Sequence, residues 1–246
     1  MGIQRGPAPN PDPGLHRGAD SGMTVGVLLL LSYVVGATPT SLWVGRALHG
    51  VDLREVGSGN LGATNTFRVL GPGAATPVMV VDVLKGYLPV VLLPPLAGLE
   101  GSIWVLALGA AAILGHVFSF WVGFRGGKGV ATSAGVFLAL APLPLLITVG
   151  VWAALVFITR IVSVASITAA LLLPVLVLLM PTPRHEGDAL VVFTAFLGAF
   201  VIWAHRANIR RLLRGEESRF ARSRRSGAAL ADQPVHDTPE ETGERP

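Results

Sequence analysis

The sequence predicts an all-α integral membrane protein: a compact bundle of about seven transmembrane helices, some of them short or broken. Of the 246 residues, 51% are hydrophobic and only 14% are charged, whereas about a quarter of the residues in a soluble domain are charged. The apolar residues also gather in runs long enough for helices of about 20 residues, the length that crosses a bilayer. Little of the chain is left over for a separate soluble domain.

Five apolar runs mark predicted spans in chain order. They cover residues 25–44, 74–96, 103–120, 161–180 and 189–204. A sixth run, residues 131–159, is too long for one typical span and too short for two. Pro142 and Pro144 lie inside this run and interrupt helical hydrogen bonding. We therefore expect a broken helix or a hairpin pair of helices there.

The two ends of the chain differ from the membrane domain, which we place at residues 23–217. Residues 1–22 are rich in Pro, Gly and Asp and are predicted to be a disordered tail. Residues 218–246 are first basic and then acidic, and they are predicted to form a second disordered tail.

Basic residues predict the orientation of the bundle. Lys and Arg number 19 against 15 Asp and Glu, and the surplus lies beside the apolar runs, as in loops that face the cytoplasm. If the loops around Arg68 and Lys128 and residues 206–225 all lie inside, the C-terminus is cytoplasmic and the N-terminus is outside. Residues 131–159 must then enter and leave at one face. Basic residues that border membrane segments do not suit nucleic-acid binding, which we do not expect.

The chain has no cysteine, which excludes a disulfide, a thiolate nucleophile and a cysteine metal site. The six histidines lack paired ligand spacing, and Asp52 and Glu55 lack convergent partners, so no metal site is expected. Asp82 and Lys85 stand three residues apart in the second apolar run. They are predicted to neutralise each other inside the bundle.

Two glycine-rich polar segments lie between the apolar runs: GSGNLGATN at residues 57–65 and GFRGGKGVAT at residues 123–132. Glycine lets backbone N–H groups converge on an anion, and the Arg and Lys side chains add positive charge. The second segment is not a P-loop, because Val122 and Gly129 stand where that motif needs Gly and Ser or Thr. The two glycine-rich segments together predict a phosphate site at the membrane surface. A helix-capping turn and a loop that only sets topology are the alternatives.

Further polar positions fall at the ends of apolar runs. His116 lies near the end of an apolar helix, where an ionisable side chain is a candidate for function. Ser163 follows Arg160 by three residues and Asn208 follows His205 by three, so each pair shares one helix face. The alternatives are helix packing for the serine and lipid-surface anchoring for the neighbouring arginines.

These segments, in this order, resemble the integral-membrane acyl-phosphate:glycerol-3-phosphate acyltransferases of bacteria, the PlsY family. The resemblance covers roughly residues 25–217. Two departures are small: Ser119 stands where family members often carry Pro, and Arg125 where Lys is frequent. The matching stretches are SGNLGATN with Arg68, DVLKG at residues 82–86, GH followed by FRGGKGVAT, the Arg-x-x-Ser stretch, and HRANIRRLLRGEE.

The resemblance implies a seven-helix bundle in the bacterial inner membrane with its active site at the cytoplasmic face. The implied reaction moves a fatty acyl group from acyl phosphate to the 1-hydroxyl of glycerol 3-phosphate. Its products are lysophosphatidic acid and phosphate, in the first step of phospholipid synthesis. No cofactor is implied. The implied partners are the two substrates, the lipid bilayer and the enzyme that produces the acyl phosphate.

The resemblance also implies residue roles. Ser58, Asn60 and His116 are expected to be catalytic, with His116 as an orienting group or as the base, and substrate phosphate as the alternative base. The glycerol phosphate is expected on Arg68, Ser163, His205 and Asn208 with help from Lys128 or Arg125, and the acyl-phosphate head group on residues 57–65. The full set of expected substrate-binding residues is Gly59, Thr64, Asn65, Arg68, Arg125, Gly127, Lys128, Ser163, His205 and Asn208.

Other function classes fit the residues less well. A CoA-dependent glycerolipid acyltransferase of the soluble type would show His-x4-Asp, but Trp121 holds the place of the Asp after His116. A transporter for a phosphorylated solute also uses glycines and broken helices, but it predicts repeat symmetry that the sequence does not show. A scaffold or lipid-binding protein would not need the Ser, Asn and His set.

Overall fold

The computed structural model describes residues 13–96, 98–99, 102–181 and 187–220. The described residues contain helices and no strands, which confirms the predicted all-α class. Most of both predicted tails, residues 1–12 and 221–246, lies outside them. The helices are α1 (Pro13–Ala37), α2 (Thr40–His49), α3 (Ala63–Leu70), α4 (Pro72–Leu96), α5 (Ser102–Val117), α6 (Val130–Leu140), α7 (Pro142–Thr159), α8 (Val162–Leu179), α9 (Gly187–Ala204) and α10 (Arg206–Leu213).

Several helices are long and apolar enough to cross a membrane. Four helices pass this test as single stretches. The number rises to six if each of two bent pairs, α1 with α2 and α9 with α10, is one span. α6 has 11 residues, about 16 Å of helix, or half of the ~30 Å hydrocarbon core. The chain is therefore a multi-pass membrane protein, while the count of seven and the orientation stay predictions. The four unbent stretches are Pro72–Leu96, Ile103–Val122, Pro142–Thr159 and Val162–Leu179.

The first predicted span differs from the structure at both ends. α1 begins at Pro13, inside the segment predicted to be a disordered tail, and ends at Ala37 instead of residue 44. The continuous helix predicted over 25–44 is therefore wrong. Pro39 has no N–H for a helical bond and disfavours helical backbone at the residue before it, so the chain bends by 40° before α2.

Polar side chains from α4 and from the loop after α5 hold this break. Lys85 Nζ donates to the carbonyl of Thr38 at 3.0 Å, and the Ser119 hydroxyl donates to the carbonyl of Ala37. Lys85 Nζ also lies 2.8 Å from Asp82 Oδ1, and both side chains are buried. The predicted Asp82–Lys85 ion pair is thus confirmed. Lys85 also donates to a backbone carbonyl that has lost its helical partner at the break.

The run at residues 131–159 is broken at the prolines, as predicted. α6 ends at Leu140, and α7 begins at Pro142, where proline is well suited to the first turn of a helix. Lys128, just before α6, and Ser163, just after α7, reach the same group of polar side chains. The two helices therefore form a hairpin whose ends lie at the same end of the bundle.

Close helix packing brings the polar loops together. α1 packs on α5, α4 packs on α6, and α8 packs on both α7 and α9. α4 and α6 approach closely because a Cβ on Gly86 or Gly135 would overlap the carbonyl oxygen of Thr132 or Val83. Phe137 of α6 is fully buried in the main apolar core beside this contact. As a result, the ends of α5 and α9 meet the starts of α6 and α8.

Candidate active site

A cavity of about 400 Å³ lies where these helix ends meet. Its apolar wall comes from α4 and from α6 to α9, with Phe137, Leu173 and Leu197 among its side chains. The remaining wall is polar and includes Ser, Thr, Asn, Arg, Lys and His side chains together with the carboxylates of Asp82 and Glu217. The volume is that of a typical small-molecule site. One cavity thus offers both a polar, cationic region and an apolar region.

The structure brings most of the predicted site residues to this cavity. Gly127 instead lines a smaller neighbouring cavity. Gly59 and Arg125 line neither of the two, and Arg125 is exposed. Among the described residues, no three His, Asp or Glu side chains converge in a way that could hold a metal ion. The predicted residues that line the main cavity are Ser58, Asn60, Thr64, Asn65, Arg68, His116, Lys128, Ser163, His205 and Asn208.

The first glycine-rich segment is held in shape by the buried side chain of Asn65. Its Oδ1 accepts a hydrogen bond from the backbone N–H of Ser58 at 2.8 Å. Its Nδ2 donates to the carbonyls of Leu53 and Val56 at 3.0 and 3.1 Å. Because these bonds use both ends of the amide, Asn65 shapes the loop, and Ser58 and Asn60 remain as the loop's side chains at the cavity.

Glu217, for which the sequence predicted no role, joins three polar side chains of the cavity region. Its Oε1 accepts from Ser163 Oγ at 2.8 Å and from Asn208 Nδ2 at 2.5 Å, and its Oε2 accepts from Arg211 Nε at 2.7 Å. Asn208 Oδ1 in turn accepts from Lys128 Nζ at 2.5 Å. The only signal in the sequence was an acidic pair, GEE, inside an otherwise basic stretch.

Arg68 is the second cation at the cavity. Its Nη2 donates to the carbonyl of Ser218 at 3.3 Å, and its guanidinium lies 5.5 Å from the ring centre of Phe220. Its Nε is buried and has no hydrogen-bond partner among the described residues. Leaving such a donor unpaired costs free energy, so Arg68 offers a ready donor to an anionic ligand.

The charged groups shift one another's pKa values. Burial lowers the pKa of Lys128 to about 8; the Glu217 carboxylate opposes this shift, and Arg211 and Arg68 add to it. Burial also lowers the pKa of Arg68. For Glu217, burial raises the pKa, but the three hydrogen bonds that it accepts lower it by more. Three cations thus surround one carboxylate, which leaves a positive site.

Two buried histidines line the cavity. His205 Nδ1 lies 2.8 Å from the carbonyl oxygen of Val201. Because that oxygen can only accept, we assign the proton to Nδ1 and a lone pair to Nε2 of the neutral ring. His116 packs against Gly127, where an added Cβ would overlap Nε2 of the ring. A residue larger than glycine at position 127 would therefore displace the His116 ring or the loop.

We expect Glu217→Ala to destabilise the protein, because it leaves buried donors of Ser163 and Asn208 without an acceptor. Each such donor costs about 1–3 kcal/mol, so the free energy of unfolding should fall by roughly 3 kcal/mol. Thermal unfolding of the purified protein in detergent measures the loss. Glu216→Ala is the matched control, since Glu216 is the exposed neighbour. Equal melting temperatures for the two variants would contradict the role of the buried carboxylate.

Comparison with known proteins gives one consistent family. A family model described as glycerol-3-phosphate acyltransferase matches residues 26–215. The glycerol-3-phosphate acyltransferase of Listeria monocytogenes is 46% identical over 203 residues, which cover 80% of this chain and 98% of that protein. The one from Fusobacterium nucleatum is 42% identical over 192 residues, which cover 78% of this chain and 96% of that protein.

Solved structures support the same family. A crystal structure of PlsY, an integral membrane glycerol 3-phosphate acyltransferase, in its glycerol 3-phosphate form superposes with a TM-score of 0.71 at 36% identity. The alignment covers 80% of this chain and 96% of that chain. A form of the same enzyme with lysophosphatidic acid gives the same values.

Proposed function

The chain belongs to the glycerol-3-phosphate acyltransferase family and is of the PlsY type, and we propose that its acyl donor is an acyl phosphate. Its products are then lysophosphatidic acid and inorganic phosphate. The observation that supports this proposal is the single cavity that joins a cationic, hydrogen-bonding region to an apolar one. An acyl phosphate has the same division, since its anionic head group is attached to a hydrocarbon chain.

We assign the phosphate of glycerol 3-phosphate to Arg68 and Lys128. Both side chains line the cavity, both are partly withdrawn from water, and Arg68 Nε has no hydrogen-bond partner in the described part of the chain. Charge-assisted bonds to phosphate are stronger in such a site than at an open surface. Ser163 and Asn208 are held by Glu217 beside these cations, where the Ser163 hydroxyl oxygen can still accept from a glycerol hydroxyl.

We assign the head group of acyl phosphate to the loop at residues 57–65. Ser58, Asn60 and Thr64 line the cavity from this loop and from the first turn of α3. Their hydroxyl and amide groups can donate to phosphate oxygens. The acyl chain then extends along the apolar wall formed by α4 and by α6 to α9.

In the proposed step, the 1-hydroxyl oxygen of glycerol 3-phosphate attacks the carbonyl carbon of acyl phosphate. The bond from that carbon to the bridging oxygen breaks, phosphate leaves with the electron pair, and the hydroxyl proton passes to a base. Either His116 or a substrate phosphate takes this proton. The anhydride is already activated, so positioning and stabilisation of the oxyanion are the main tasks of the site.

The direct experiment supplies the purified protein in lipid with palmitoyl phosphate and labelled glycerol 3-phosphate, with EDTA and without CoA. We expect labelled lysophosphatidic acid and an equal amount of released phosphate, with neither formed in protein-free liposomes beyond spontaneous hydrolysis. Turnover with acyl-CoA alone would overturn the donor assignment. No turnover with either donor, in folded protein, would favour a transporter of phosphorylated solutes.

The lowered pKa of Lys128 predicts the pH dependence of substrate binding. With a pKa of about 8 in the ligand-free protein, Lys128 is charged below this pH and loses its charge as the pH rises through it. The substrate phosphate is a dianion above about pH 6. We therefore expect KM for glycerol 3-phosphate to be lowest between about pH 6.5 and 8 and to rise above it.

Initial rates between about pH 6.5 and 9.5, corrected for spontaneous hydrolysis of the donor, test this dependence. Lys128→Arg is the matched variant, because a guanidinium keeps its charge over the whole range. Its KM should not rise with pH above 8. The same alkaline rise in both proteins would assign the titration to another group.

We also propose that the protein lies in the bacterial inner membrane with its C-terminus and its active site at the cytoplasmic face. The cations of the cavity and of α10 lie at one end of the bundle, as the positive-inside rule requires. Such a site faces the partner enzyme that supplies acyl phosphate. Because the chain has no cysteine, single introduced cysteines report the orientation without background.

Glu216→Cys at the site end should react with a membrane-impermeant maleimide only after the membrane is permeabilised. Pro181→Cys, which follows α8 at the opposite end and is exposed, should react in intact cells. The reverse pattern would invert the proposed topology.

A further inference from the structure

A second, small cavity lies beside the main one, and His116 lines both. It has room of about 10 Å³ for the centre of a water molecule, which is close to the least that a buried water needs. Thr40 at the start of α2, Asp82 in α4 and Gly127 in the loop before α6 also line it. The small cavity is therefore polar and is walled by several elements of the bundle.

Polar atoms in this wall are buried without their usual partners. Thr40 Oγ1 and His116 Nδ1 have no hydrogen-bond partner among the described residues. Asp82 Oδ1 is buried too. Lys85 Nζ lies 2.8 Å from this oxygen, but the oxygen accepts no well-aligned hydrogen bond from the described chain. His116 Nδ1 and Asp82 Oδ1 are 3.9 Å apart, which is too long for a direct hydrogen bond and is a separation that one bridging water can span.

We propose that this cavity binds one water molecule, which joins His116 Nδ1 to the Asp82 carboxylate with the Thr40 hydroxyl as its third partner. Asp82 is thereby a positioning residue for the His116 ring. A buried water makes about three hydrogen bonds to otherwise unsatisfied groups, and these three side chains supply that number. The water would also remove the cost of leaving the polar atoms of Thr40 and His116 unpaired.

The water bridge determines which ring nitrogen of His116 carries the proton. A carboxylate paired with Lys85 can only accept, so the water donates one hydrogen to Asp82. In the proposed bridge it donates the other to Thr40 Oγ1, and its lone pairs face the ring. Nδ1 then carries the proton, and Nε2, the nitrogen next to Gly127, keeps a lone pair. The consequence for catalysis, a His116 that is held ready to accept at Nε2, rests on the proposed acyl transfer. The water site itself does not.

Thr40→Val is the decisive variant, because it removes one partner of the water and keeps the Asp82–Lys85 ion pair. Nitrogen-15 spectra of histidine-labelled protein in lipid distinguish protonated from unprotonated ring nitrogens. A His116→Gln variant identifies the His116 signals among the six histidines. In the parent we expect His116 to be protonated at Nδ1 and not at Nε2. Thr40→Val, and Asp82→Asn where it folds, should shift the proton towards Nε2.

Ser32→Ala is the matched control, since Ser32 is another buried hydroxyl, bonded to the carbonyl of Leu108 at 2.7 Å and absent from the wall of this cavity. It should leave the His116 signals and the kinetics unchanged. Thr40→Val should lower kcat on the order of tenfold without raising KM for glycerol 3-phosphate.

The proposal is overturned if Nδ1 of the parent His116 is unprotonated, or if Thr40→Val leaves the spectrum as in the parent. A spectrum that changes while kcat does not would keep the water site and reject the positioning role of Asp82. The spectra need no turnover, so a failure of the proposed acyl donor would be recognised separately.

Discussion

Replacing Gly127 with alanine is expected to lower kcat/KM for glycerol 3-phosphate by about a hundredfold or more. Gly127 is buried, and an added Cβ would overlap Nε2 of His116 and the carbonyl oxygen of Leu61. Its backbone is outside the left-handed region, so the expected effect is steric. The ring of His116, or the loop itself, must move, and a displacement of about 1 Å in a catalytic group can cost about a hundredfold in rate.

Gly150→Ala is the control for this substitution. Gly150 lies in α7 with no atom within 4 Å of an added Cβ, and alanine is the better helix former, so activity and melting temperature should not fall. Initial rates with both substrates varied, together with thermal unfolding, separate a displaced site from a misfolded protein. Parent-like kcat/KM in a folded Gly127→Ala protein would show that its close packing on His116 is not needed.

Replacing Lys128 with methionine is expected to reduce kcat/KM for glycerol 3-phosphate on the order of a hundredfold to a thousandfold. Methionine keeps the apolar stem and removes the ammonium group. Lys128 Nζ bonds Asn208 Oδ1 at 2.5 Å and lines the cavity with Arg68. The variant therefore removes a charge from the proposed phosphate site and also leaves the Asn208 carbonyl without its donor.

Arg125→Met tests whether the position of the charge matters. Arg125 is three residues away in the same loop, but it is exposed and outside both cavities. An exposed charge is screened by solvent, so its loss should change kcat/KM by about fivefold at most. A larger loss for Arg125→Met than for Lys128→Met would reverse the assignment of the cation. This pair of variants resolves the choice between the two residues that the sequence left open.

Local patterns in the sequence predicted the class, most helices and the break at Pro142. A helix in lipid must satisfy its backbone hydrogen bonds within its own segment, so an apolar run is itself enough to predict a span. Proline acts on the turn that precedes it, so a break at Pro142 is also a local property. By contrast, the apolar run across Pro39 hid the end of α1, where Lys85 and Ser119 reach the backbone from 47 and 82 residues away.

The residue types of the candidate site could be predicted from local motifs, since ten of its predicted members line one cavity. The packed structure sets the position and the partners of each of them. It turned the amide of Asn65 inward to hold its own loop, and it withdrew Lys128 partly from solvent while leaving Arg125 exposed. It also placed Glu217, part of a basic stretch when read along the chain, against Ser163, 54 residues away. Spans, breaks and local charge depend on neighbours in the sequence. Burial and hydrogen bonding between distant side chains exist only once the helices have packed.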